Sequence, residues 1–98
     1  MRLKKSEIEA IQNTFLKTFI HGEVYLFGSR VDDNQKGGDI DLYIKAHSLA
    51  QLSRNKIDFL VKLKQIIGRQ KIDLVIDRGS DRLIDRLVKE KGILLWKS

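Results

Sequence analysis

The chain has no cysteine, no proline, only two histidines, and no apolar run approaching the ~20 residues that a membrane span needs. Each absence excludes something. Without cysteine there is neither a disulfide scaffold nor a thiolate zinc site, and His21 and His47 lie too far apart in the sequence to form a His-based metal motif. Any metal must therefore be held by oxygen. Without proline, the seven glycines are the main punctuation of the chain. The segment Met1-Arg2-Leu3-Lys4-Lys5 runs into amphipathic sequence instead of a signal-peptide apolar core, so neither a leader nor a membrane protein is expected. What is present is 42% apolar and 33% charged residues over 98 positions, with 19 Lys and Arg against 13 Asp and Glu, a net charge of +6. That composition fits one compact domain over residues 1–98, burying roughly 60 to 65% of its unfolded surface. The positive excess belongs to its surface and favours phosphates or acidic protein surfaces as partners.

Apolar periodicity and capping residues divide the chain into alternating helices and strands. Ser6-Glu7-Ile8-Glu9 reads as a capping box, and Ile8, Ile11, Phe15 and Phe19 form one stripe, predicting a helix over 6–20 with a stop at His21-Gly22. Val24-Tyr25-Leu26-Phe27, closed by Gly28, reads as a buried strand. After a polar segment ending in Gly37-Gly38, the stretch Asp39 to Lys45 alternates strictly, with Ile40, Leu42 and Ile44 on one face and Asp39, Asp41 and Tyr43 on the other. Ser48 and Gln51 predict a second helix, with Leu49, Leu52, Leu60, Leu63 and Ile67 apolar and Gly68 at its end. Residues 71–76 alternate again and set Asp73 opposite Ile72, Leu74 and Ile76. Gly79-Ser80 is expected to cap a last helix with the stripe Leu83, Ile84, Leu87 and Val88, in which Asp85 pairs with Lys89. Gly92 ends it, and Ile93 to Trp96 is an edge strand or a partner-packing segment. The order predicts an α/β or α+β fold, a small mixed sheet packed against helices mainly on one face.

Chemistry concentrates in three pieces: Gly28-Ser29, Asp39-Ile40-Asp41, and Asp73. Carboxylates two residues apart on a strand share a face, with Cα atoms roughly 6.6 Å apart, near enough to lean toward shared ions. Such a face costs free energy unless a cation or a hydrogen-bond donor compensates it. Hard oxygen ligands suit magnesium, and two ions ~3.5 to 4 Å apart match phosphoryl or nucleotidyl transfer. A glycine ending a buried strand permits close approach to the backbone, and Ser29 opening a helical turn can offer its hydroxyl and the following amides to a phosphate. Neither a Walker P-loop nor a dinucleotide-binding glycine pattern is present. Solvation or packing accounts for Tyr43, Lys45, the two histidines and the basic stretch Arg54, Lys56, Lys62, Lys64, Arg69 and Lys71 better than ligand contact does.

The combination of an apolar strand ending in Gly28-Ser29, a short turn, and Asp39-Ile40-Asp41 on the next strand resembles the minimal nucleotidyltransferases of the DNA polymerase beta superfamily. The resemblance covers nearly the whole chain. It implies a nucleotidyltransferase fold, with Gly28, Ser29 and Arg30 at the nucleotide and Asp39, Asp41 and Asp73 as the catalytic, metal-binding carboxylates for two Mg2+ ions. It further implies a cytoplasmic, type VII-like antitoxin of the kind paired with a HEPN-domain toxin, which transfers AMP from ATP, or from another nucleoside triphosphate, to a toxin tyrosine. A partner chain, in a homo- or hetero-oligomer, then supplies surface that so short a chain lacks. Two alternatives remain from the residues themselves: a catalytically silent antitoxin that masks an acidic partner, and a small nucleic-acid-binding domain. The second is disfavoured, because an acidic strand face repels phosphate unless metal intervenes.

Overall fold

The computed structural model describes residues 1–32, 34, 38–48, 50–68, 70–79 and 81–98. Three helices, α1 (Lys5–Thr18), α2 (Leu52–Ile67) and α3 (Leu83–Lys91), accompany four strands, β1 (Gly22–Phe27), β2 (Ile40–Ala46), β3 (Ile72–Ile76) and β4 (Ile93–Lys97). The strands form one mixed sheet in the order β3-β2-β1-β4. β1 runs antiparallel to β2 and β4, whereas β2 and β3 are parallel and are joined through α2, as a parallel pair requires a crossover. The fold is α+β, as the sequence predicts.

Strict alternation along β2 decides what each face of the sheet does. Ile40, Leu42 and Ile44 are fully buried and meet Val24 and Leu26 of β1, Ile72, Leu74 and Ile76 of β3, and Leu95 of β4. α1 covers this face with Ala10, Ile11, Phe15 and Phe19, and α2 with Phe59 and Leu63. Burying each large side chain here stabilises the fold by about 1.5–3 kcal/mol. The opposite face is covered by α3, whose Asp85 accepts a hydrogen bond from the buried Tyr43 hydroxyl at 2.7 Å. Phe59, fully buried, is absent from the stripe Leu49, Leu52, Leu60, Leu63 and Ile67 read from the sequence.

Several helix boundaries differ from expectation. α1 begins before Ser6, because the Glu7 side chain reaches back to accept the Lys4 backbone N–H at 2.9 Å and so takes the capping role assigned to Ser6 and Glu9. Gly22 is not the helix stop but the first residue of β1, at φ +139°, where a Cβ would strike the Lys45 carbonyl oxygen. The helix ends instead at Phe19, followed by Ile20 at φ 71°. Ser48 Oγ accepts the Ala50 N–H in a turn ahead of α2 and does not cap the helix. Asp85, expected to pair with Lys89, reaches back to the Arg82 backbone N–H at 2.8 Å and opens α3 there. Gly79 stands ahead of the helix and does not cap it, because Arg82 is the N-cap of α3. Ser80 of the expected cap, Leu49 of the second stripe, Arg69 of the basic stretch and Gly37 of the glycine pair fall on residues outside those described. The C-terminal segment is an edge strand, β4. Among the described residues no helix is long and apolar enough to cross a membrane.

Candidate functional site

The site forms at one end of the sheet, where β1 ends, β2 begins and β3 begins. Asp41 pairs in register with Phe27 of β1 and with Asp73 of β3, so its carboxylate has the end of β1 on one side and a second carboxylate on the other. Asp39 lies just before β2, whose pairing with β3 opens with the Ile40 N–H donating to the Lys71 carbonyl at 3.0 Å. Phe27 leads directly into a 3₁₀ turn, Gly28–Val31. Gly28 adopts φ +77°, and a Cβ placed there would collide with Asp41 Oδ2. Only glycine lets the backbone lie against that carboxylate. Ser29 follows as the second residue of the turn, matching the turn expected from the sequence.

The electrostatics of the three carboxylates differ. Burial, and then the negative charges of Asp73 and Asp39, push the Asp41 carboxyl above the ordinary aspartate value, with Lys71 opposing them. Asp39 faces Lys71 Nζ at 3.5 Å in a half-exposed pair, and Asp73 is exposed. The structure thus brings Asp41 and Asp73 together, while Asp39 is engaged by a lysine from the entrance to β3. Arg30, which the resemblance puts at the nucleotide, is hydrogen-bonded to protein oxygens. Its Nη1 donates to the Arg2 carbonyl, and its Nη2 donates to the Gly38 carbonyl and to Gln70 Oε1.

Beside Gly28 a cleft of about 460 Å³ opens between the 3₁₀ turn and α3, lined mainly by Phe27, Val31, Ile84, Leu87 and Lys91. The sequence reads Ile84 and Leu87 as part of the apolar stripe of the last helix. They wall a cleft instead, and Leu83 is largely exposed, because α3 reaches the sheet through Val88 and Asp85. The available signal was Asp85 itself, a carboxylate three residues before Val88 on the inward side of the helix.

Residues 9–98 match the family described as polymerase beta, nucleotidyltransferase, and the chain belongs to that family of nucleotide-transferring enzymes. Its fold is similar to that of a toxin-antitoxin crystallised with AMP-PNP, with TM-score 0.75 and 22% identity, covering 93% of this chain and 73% of the other. The toxin-antitoxin MntA-HepT is similar at TM-score 0.70 and 22% identity over 97% of this chain and 74% of the other. A protein from Shewanella oneidensis gives TM-score 0.73 and 20% identity over 98% and 74%. At these identities the likeness is one of fold. No curated protein matches the chain.

The family generally uses divalent metals. The donor chemistry here fits one: Asp41 and Asp73 are hard oxygen donors side by side, and the like-charge strain on Asp41 is what a cation relieves. Among the described residues, no three or more His, Cys, Asp or Glu side chains are gathered into a closed metal site, consistent with Asp39 resting on Lys71.

Proposed function

We propose that the chain is a metal-dependent nucleotidyltransferase that moves AMP from ATP onto an acceptor hydroxyl, a tyrosine of a HEPN-domain toxin, and acts as that toxin's antitoxin in the cytoplasm. The observation that carries this reading is the contact of Gly28 with Asp41, beside the facing carboxylate of Asp73. Membership of the polymerase beta nucleotidyltransferase family supports the reaction class, and the fold shared with toxin-antitoxin structures, one of them crystallised with AMP-PNP, supports the partner and the nucleotide.

Asp39, Asp41 and Asp73 are the residues to hold two Mg2+ ions, which when bound neutralise the triphosphate and make the attacked phosphorus more electrophilic. Gly28 lets the turn lie against Asp41, which sets Ser29 beside the carboxylates, and the Ser29 hydroxyl donates to the β- and γ-phosphates. The apolar cleft beside the turn gives the nucleoside a wall to lie along. Asp73, the most exposed of the three strand-end carboxylates in its setting on β3, accepts the proton of the tyrosine hydroxyl as that oxygen bonds to the α-phosphorus. The bond from the α-phosphorus to the bridging oxygen breaks, and pyrophosphate leaves in line.

A second reading is favoured by one observation, the Lys71 ammonium beside Asp39: a silent module that binds its partner through its +6 surface without chemistry. The two separate cleanly. The purified chain is incubated with the HEPN toxin, Mg2+ and each nucleoside triphosphate labelled at the α-phosphate, alongside an Asp39→Ala, Asp41→Ala double variant. Label on a toxin tyrosine from ATP, lost in the double variant while the complex persists, supports the enzyme. Full neutralisation by the double variant supports the silent module.

A further inference from the structure

Arg30 stands at the crossing of four chain segments. Its Nη1 donates to the Arg2 carbonyl at 2.9 Å, and its Nη2 donates to the Gly38 carbonyl at 2.9 Å and to Gln70 Oε1 at 3.1 Å. Gly38 immediately precedes Asp39, and Gln70 immediately precedes Lys71, the ion-pair partner of Asp39. Gln70 is fixed in turn, because its Nε2 donates to Glu7 Oε2 at 2.6 Å. Glu7 is buried, and although burial opposes ionisation, the Gln70 hydrogen bond, the Lys4 backbone N–H and the charge of Arg30 hold its carboxyl below the usual value. From the N-terminal segment, the Arg2 N–H donates to the Arg30 carbonyl at 2.8 Å and the Arg2 guanidinium donates to the Ser29 and Asp32 carbonyls.

These bonds commit both terminal nitrogens of the half-buried guanidinium to protein oxygens, so that they are engaged by the fold in place of an incoming phosphate, and among the described residues its buried Nε has no hydrogen-bond partner. A planar fork of five donors can join three acceptors on separate segments at once, which a single ammonium on a flexible stem cannot reproduce. We propose that Arg30 is a positioning residue, not a triphosphate ligand: by fixing the backbone at Gly38 and the side chain of Gln70 to the turn that carries Ser29, it sets Asp39 relative to Asp41 and Asp73. This inference rests on the reading of those carboxylates as the metal-binding group.

The test uses Arg30→Lys, Arg30→Ala and Gln70→Ala in the full chain. Mn2+ affinity is read by electron paramagnetic resonance in the presence of AMP-PNP, together with kcat and KM for ATP in the transfer assay. Both Arg30 variants are expected to weaken Mn2+ about tenfold, the usual scale for removing a group that orients a ligand. They lower kcat while leaving KM for ATP within about twofold, because the loss falls on alignment and not on nucleotide binding. Gln70→Ala shifts the same two quantities in the same direction by a smaller factor. Retained Mn2+ affinity in Arg30→Lys, with a raised KM in Arg30→Ala and no effect of Gln70→Ala, overturns the proposal in favour of a direct phosphate contact. If Arg30→Ala does not fold, Arg30→Lys and Gln70→Ala still decide the matter. A wild-type chain that transfers no nucleotide but shows the expected Mn2+ series overturns the proposed reaction and leaves the positioning role standing. Unchanged Mn2+ affinity in every variant overturns the positioning role whatever the transfer assay shows.

Discussion

Asp85 and Asp41 stand against the same side of the sheet, and their surroundings are opposite. Asp85 is fully compensated: the Arg82 side chain donates to it at 3.1 and 3.2 Å, the Tyr43 hydroxyl at 2.7 Å and the Arg82 backbone N–H at 2.8 Å. The Arg82 hydrogen bonds first, and then that of Tyr43, hold its carboxyl far below the ordinary aspartate range. Asp41, partly buried two residues from Tyr43, has Asp73 and Asp39 as neighbours, and its carboxyl is pushed up. The first acid is a structural tie between α3 and β2. The second is maintained at a cost to stability, which a folding role does not explain and a cation-dependent role does.

The comparison breaks most sharply at the chemistry. Asp41→Ala should lower nucleotidyl transfer by at least about 100-fold, the scale of losing a group that acts on the transition state. Tyr43→Phe, which disturbs only the structural tie, should leave transfer within about twofold in the same labelled-ATP assay. Equal losses from both variants would erase the distinction between the two acids.

Gly28 provides the next largest effect. Gly28→Ala forces a methyl group onto Asp41 Oδ2 in a left-handed backbone, whereas Gly79 has a similar φ of +79° with nothing within 4 Å of its Cβ position. Urea unfolding should show about 2 kcal/mol or more lost in Gly28→Ala but only about 1 kcal/mol in Gly79→Ala, because the second substitution carries backbone strain alone. Tyr43→Phe removes one donor to Asp85 while the Arg82 bonds remain, and it should cost about 1–2 kcal/mol by the same measurement.

The smallest effect has the opposite sign. Asp41→Asn removes a like-charge neighbour of Asp73 and should stabilise the metal-free protein by about 0.5–1 kcal/mol at neutral pH. The pH dependence sharpens the contrast. Because the folded pKa of Asp41 is raised, its favourable contribution exists below the ordinary value of 3.8 and is lost as pH rises through the folded pKa. Because that of Asp85 is lowered, its contribution exists above 3.8 and is lost as pH falls through the folded pKa. The stabilisation from Asp41→Asn should therefore fade on acidification to about pH 3, where the wild-type carboxyl is already protonated.

The features legible in the sequence are those whose cause is local. Alternation along residues 39–45 and 71–76 located the parallel pair β2 and β3 and their faces, since a two-residue period admits one arrangement once Ile40, Leu42 and Ile44 must be buried. Gly28-Ser29 and the aspartates could be named as candidates for the same reason. Helix starts were less legible: Ser6 and Ser48 are good caps in isolation, but Glu7 takes the Lys4 N–H, and Ser48 is used in a preceding turn. Arg30 is the clearest case of information absent from local sequence, because two of its acceptors lie 28 and 40 residues away. Its position after Gly28-Ser29 points to a ligand contact, and only the fold shows its two terminal nitrogens bonded to protein oxygens.

Thermal unfolding of the wild-type chain and of Asp41→Asn, each with and without Mg2+ and AMP-PNP, tests most directly whether the acidic cluster exists to receive cations. The account predicts a crossover: Asp41→Asn unfolds at the higher temperature in metal-free buffer, and the wild-type chain unfolds at the higher temperature once Mg2+ and the analogue are bound. A wild-type midpoint that stays below that of Asp41→Asn under saturating Mg2+ and AMP-PNP would contradict it.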